Sequence, residues 1–126
     1  MKYTIILSAL AALAAAAPTL SPRNEDIYAT FYNDDSCTQN KGIAVNVRNP
    51  GCLNESGRRS IYFQGGFNDS DVMLVESPGQ NCPCQSHCDP INLNAHASNP
   101  FCLAIDLTAY QSVRFVGGTR CSANNC

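Results

Sequence analysis

After its first seventeen residues the sequence has no second long apolar run, no long stretch of helical periodicity and no cluster of basic residues. A membrane-spanning helix needs roughly 20 apolar residues, so the mature chain carries no membrane span. The missing periodicity argues against a helical bundle. The missing basic patch argues against a nucleic-acid partner and against charge-driven attack on anionic membranes. Beyond the N-terminal segment, Lys41 and six arginines stand against ten carboxylates, a net charge of about −3. Catalytic signatures are missing too. There is no G-x-S-x-G and no H-E-x-x-H. Acid–base chemistry needs a titratable pair held in a cleft, but Glu25, Glu55 and Glu76 are scattered. His87 and His96 lie in polar stretches and read as solvated loop side chains. The expectation is a non-enzymatic protein with no catalytic residue, no metal and no cofactor.

The N-terminus has the layout of a secretory signal. Lys2 supplies a positive charge, an apolar run follows from Ile5 to Leu13, and alanines offer a cleavage site. Proline directly after the cut is unfavourable, so cleavage after Ala16 is favoured over cleavage after Ala17. This divides the chain into a signal peptide over 1–16, a flexible leader over 17–26 and a single disulfide-rich β domain over 27–126. Secretion and an extracellular location follow from that reading.

What the chain does contain is cysteine. Cys37, Cys52, Cys82, Cys84, Cys88, Cys102, Cys121 and Cys126 all lie in the mature region, and three of them fall within Cys82–Cys88. An even count in a short secreted chain implies a disulfide framework. As a metal site, C-x-C-x3-C beside His87 fits no common zinc module. Cys82 and Cys84 have one rigid proline between them, which strains a mutual bridge, so they are expected to bond to two different parts of the chain. The stretch thus reads as a junction between the hairpin half and the Phe101–Val116 half, with the pairing left open among 105 possibilities. Loss of Cys84 is expected to cost about 2–5 kcal/mol of stability and no chemistry.

Period-2 alternation supplies the strands. Ile27, Ala29 and Phe31 alternate with Tyr28, Thr30 and Tyr32, and Ile43, Val45 and Val47 alternate with Ala44, Asn46 and Arg48. The two read as a hairpin around Asn33–Ser36. Ile61 and Phe63 suggest a third strand. Val72–Val75 reads as a central strand covered on both faces. Phe101–Leu107 and Val113–Phe115 complete six, with 89–100 as a loop that holds one helical turn. Six short strands separated by turns point to a small all-β, disulfide-stapled sandwich or Greek-key barrel. Asn33–Ser36 and Asn68–Asp71 offer oxygen atoms of the kind calcium takes, but neither matches an EF-hand loop, and acidic turns between strands usually serve only to turn. Asn54-Glu55-Ser56 and Asn68-Asp69-Ser70 are N-glycosylation sequons, making Asn54 and Asn68 candidate glycan carriers.

The segments ATFYNDDSCTQNKGIAVNVRNPGCLNESGR, SPGQNCPCQSHC and SVRFVGGTRCSANNC resemble the small secreted cysteine-rich, effector-like proteins of filamentous ascomycete fungi. The F-Y-N-D-D-S-C turn is similar to the first hairpin of βγ-crystallin-like folds, which include microbial antifungal and killer proteins. Hydrophobins differ in having adjacent cysteine doublets, which this chain lacks. The resemblance implies a role at a host or microbial surface, where the chain, expected to be a monomer, would bind an extracellular protein or glycan. Loops 52–60 and 89–100 would present the contacts, with Arg58 and Arg59 as the conspicuous cation pair. A killer-type toxin and a small secreted hydrolase are the alternatives.

Overall fold

The computed structural model describes residues 27–48, 50–65, 71–96 and 99–126. The segments expected to be the signal peptide and the leader, Glu25 and the Asn68 sequon lie outside them. Seven strands are present among the described residues: β1 (Tyr28–Tyr32), β2 (Val45–Asn46), β3 (Ser60–Phe63), β4 (Val72–Ser77), β5 (His87–Ile91), β6 (Phe101–Ala104) and β7 (Ser112–Gly117). They form two antiparallel sheets, one in the order β2-β1-β3-β6 and the other β5-β4-β7. The fold is an all-β, disulfide-stapled sandwich.

Alternation explains the core. Ala29 and Phe31 on β1 and Ile61 and Phe63 on β3 are fully buried. Antiparallel pairing sets Ala29 opposite Phe63 and Phe31 opposite Ile61, so the four share one face. From the other sheet, Val72 and Leu74 of β4 and Val113 and Phe115 of β7 join the same apolar cluster. Aromatic rings couple the two layers, with Phe31 and Phe63 at 6.0 and 6.2 Å from Phe115 between centroids. β4 is the middle strand of its sheet and is buried from end to end, as its uninterrupted apolar run predicts.

Three sequence expectations are corrected. The Phe101–Leu107 run is a strand only over Phe101–Ala104. The second hairpin arm is shorter than its alternation implies, because β2 has only two residues and Ile43 is 83% exposed. Among the described residues no strand lies beside Ile43 to bury it. Residues 89–100 are not all loop, because their first part completes β5, while the one helical turn expected there is present as a short 3-10 turn at Asn94–His96. Pro90 hid this strand from pattern reading. It is tolerated because β5 is an edge strand, where one row of donors has no partner to satisfy.

All eight cysteines are paired, as Cys37–Cys102, Cys52–Cys82, Cys84–Cys126 and Cys88–Cys121. The Cys82–Cys88 stretch is therefore a branch point with three separate destinations. Its bonds run to the segment after the hairpin and to the C-terminal tail. The link between the hairpin turn and β6 is made elsewhere, by Cys37–Cys102. Cys37 and Cys82 both adopt left-handed backbone, at φ 55° and 51°. That conformation costs a non-glycine residue roughly 1–2 kcal/mol, which the cross-links at the same residues help to offset.

Candidate functional site

Glu76 stands at the end of the inward row Val72–Leu74–Glu76 on β4. It is 2% exposed, in a position the two preceding residues of the row give to apolar side chains. Register does the rest. Glu76 pairs with His87 of β5, and Leu74 pairs with Asp89. Directly opposed residues of an antiparallel pair project to the same side, as do residues two apart on one strand. Glu76, His87 and Asp89 are thereby gathered at the rim of the sandwich, where β5 is the sheet edge. One ligand atom from each lies within 4.8 Å of the others. His87 Nε2 is 3.1 Å from Asp89 Oδ1. Tyr110, from the segment before β7, lays its ring parallel to that of His87 with centroids 6.1 Å apart.

The electrostatics are unusual for a surface cluster. Burial pushes the Glu76 carboxyl up to about 7, and the neighbouring Asp89 carboxylate adds to the shift. His87 and a hydrogen bond from Tyr110 oppose it. Removing a charge from water is the larger effect because the side chain is nearly inaccessible. The Tyr110 hydroxyl is itself held above its ordinary value, first by burial and then by the Glu76 charge. One Glu76 oxygen, Oε2, is buried with no hydrogen-bond partner in the structure. Leaving such an acceptor unsatisfied costs about 1–3 kcal/mol.

The other candidate residues are employed structurally. Arg58 hydrogen-bonds Glu55 Oε2 at 2.7 Å, Asn33 Oδ1 at 2.9 Å and the Asn40 carbonyl at 2.6 Å. It braces the hairpin turn against the 52–60 segment, and its side chain is only 18% exposed. Arg59 pairs with Asp35 at 2.9 Å in solvent. The expected exposed cation pair is therefore one bracing residue and one surface ion pair. Asp34, in the turn weighed for calcium, accepts from the backbone N–H groups of Thr38 and Gln39, both at 2.9 Å, and from the Thr38 hydroxyl. Those donors hold its carboxyl far below the usual range, with the Thr38 hydroxyl contributing most. The Asp34 oxygens are committed to the turn. Asn54 is exposed, and its side-chain oxygen accepts from the Asn81 N–H at 3.0 Å. His96 stacks on Phe101 with ring centroids 3.5 Å apart, whereas His87 stacks on Tyr110.

A cleft of about 400 Å³ opens elsewhere on the surface, between Val47, Arg48, Asp71, Val72, Asn94 and Gly118. A second, of about 260 Å³, lies between Pro83, Gln85, Arg114 and Ser122. Neither contains Glu76 or His87.

The site is thus a buried carboxyl and an exposed histidine–carboxylate pair on the rim of a four-disulfide β-sandwich. No protein-family model, no curated protein and no solved structure matches the chain. His87 was weighed as a ligand from the sequence, but Glu76, Asp89 and Tyr110 were not gathered with it. Two local signals mark them. A glutamate closes the apolar run Val72–Val75, and His87 and Asp89 are spaced for one face of a strand.

Proposed function

We propose that the protein is a secreted, non-enzymatic monomer that binds an extracellular protein or glycan at a host or microbial surface, in the manner of effector-like proteins. One observation supports this reading: the disulfides fasten loops and termini rather than neighbouring strands. Cys37–Cys102 fixes the hairpin turn, and Cys52–Cys82 fixes the segment leading into 52–60. Loops held in one shape lose little conformational entropy on binding, so small polar surfaces can reach useful affinity. The presenting surface is narrower than the sequence implies. It comprises the Asp35–Arg59 pair, the exposed part of 52–57 and the exposed residues of 92–96 and 99–100 after β5. Four disulfides fit an oxidising extracellular setting.

The test uses fluorescently labelled, disulfide-intact protein on living plant and fungal cells. The expected result is saturable binding that unlabelled protein displaces, without growth inhibition. Inhibition at micromolar dose would replace this reading with the toxin, and turnover of a glycan or peptide substrate would replace it with the hydrolase.

A further inference from the structure

We propose that Glu76, His87 and Asp89 form a binding site for a single divalent transition-metal cation, zinc by the character of the donors. Three observations converge. The donor atoms already lie within 4.8 Å of one another. Donors about 2.0–2.2 Å from a tetrahedral zinc sit about 3.4 Å apart, so closure requires movements of an ångström or so. His87 and Asp89 have the freedom to make them, with side chains 49% and 54% exposed. The second observation is Glu76 itself: the side chain is only 2% exposed, one of its carboxylate oxygens belongs to the cluster, and its Oε2 is buried with no hydrogen-bond partner. Internal hydrogen bonding leaves it unsatisfied, and a cation would supply what it lacks. The third is strand geometry. Glu76 and His87 are register partners and Asp89 is two residues on, so the backbone fixes all three ligands on one side of a hydrogen-bonded ladder.

The donor set selects the metal. One imidazole nitrogen and two carboxylates suit zinc and its neighbours. Calcium takes six to eight oxygens and has too few here. The nearby thiol of Cys88 is unavailable because it is bonded to Cys121. With three protein ligands, a fourth position would face solvent, since His87 and Asp89 lie on the exposed edge strand. Tyr110 is a positioning residue: its ring flanks His87, and its hydroxyl hydrogen-bonds Glu76. This proposal is independent of the binding partner suggested above.

Zinc chloride is titrated calorimetrically into the full, disulfide-intact protein after chelator treatment, and the imidazole signals of both histidines are followed by NMR. One equivalent should bind, moving the His87 resonances and leaving those of His96 in place. His87→Ala and Asp89→Asn should each weaken binding by about tenfold or more, while His96→Ala should not. Both ligand variants change exposed side chains, so their fold, checked by circular dichroism, should survive even where Glu76→Gln disturbs the interior. The proposal is overturned by an absence of binding at millimolar zinc, by His87→Ala or Asp89→Asn binding zinc as tightly as the unaltered protein, or by calcium binding more tightly than zinc.

Discussion

The aromatic interior and the C-terminal tail are held by opposite means. Phe31, Phe63 and Phe115 interlock between sheets, and no disulfide joins the strands that carry them. From Gly117 to Cys126 only Cys121 is even partly covered. The tail is kept by Cys84–Cys126, by Cys88–Cys121 and by hydrogen bonds, most of them to the one residue Gln85. Gln85 donates to the Ser122 carbonyl at 2.7 Å and to Asn124 Oδ1 at 3.0 Å, and its own carbonyl accepts from the Asn125 N–H at 2.9 Å. The interior is stabilised by burial. The tail is positioned by covalent tethers and has little burial to defend. A disulfide stabilises by restricting the unfolded chain, and that benefit reaches the fold only where its ends are ordered without it. Bridges of similar span should therefore differ in worth.

Truncating the interior should cost most. Phe115→Ala removes the ring that both Phe31 and Phe63 touch, and urea unfolding should record a loss of about 3–5 kcal/mol. Next comes the bridge anchored in ordered structure at both ends. Replacing Cys37 and Cys102 by serine should cost about 2–4 kcal/mol, because the hairpin turn and β6 hold their places through other hydrogen bonds. A finding that this pair costs less than the tail bridge would dissolve the distinction.

A pH titration reads the interior from another side. Glu76 holds its proton to about 7 when folded, against 4.5 for an ordinary glutamate. Between those values the folded form keeps a proton that the unfolded form has released. In the presence of chelator, stability should fall as pH rises across that window, by up to about 3 kcal/mol, and level off above it. Glu76→Gln should flatten the slope. Asp34 acts in the opposite sense at the acidic end. Its lowered value adds stability above the usual carboxylate range, and that contribution disappears as pH falls further. The smallest effect belongs to the tail. Replacing Cys84 and Cys126 by serine should change the melting midpoint by less than the equivalent of about 1 kcal/mol, while hydrogen exchange of Asn125 speeds up markedly. This revises the 2–5 kcal/mol that the sequence suggests for Cys84, since that estimate presumes an ordered partner.

Strands with an apolar face over a core were legible. Ala29/Phe31, Ile61/Phe63 and Val113/Phe115 announce themselves by alternation, and Val72–Val75 by continuity. β5 was not, because His87-Cys88-Asp89-Pro90 offers neither alternation nor β-branched residues. It is a strand only because β4 stands beside it to pair with. The same reason hid the site. Glu76 and His87 flank the whole Ser77–Ser86 connection, and what joins them is a register that no local pattern specifies. Ile43 shows the converse failure, since a correct period does not guarantee a neighbouring surface to cover it.

Leu53 exchanges hydrogen bonds in both directions with Val113, each at 2.8 Å, although it belongs to no sheet strand. It occupies part of the outer rim of β7, where a strand from another molecule could otherwise add. The opposite rim of the same sheet carries Pro90, which has no donor to offer, beside the charged Asp89. β2, at the end of the other sheet, is two residues long and gives an incoming chain little to grip. The sandwich is thus protected at these three edges against strand addition by copies of itself.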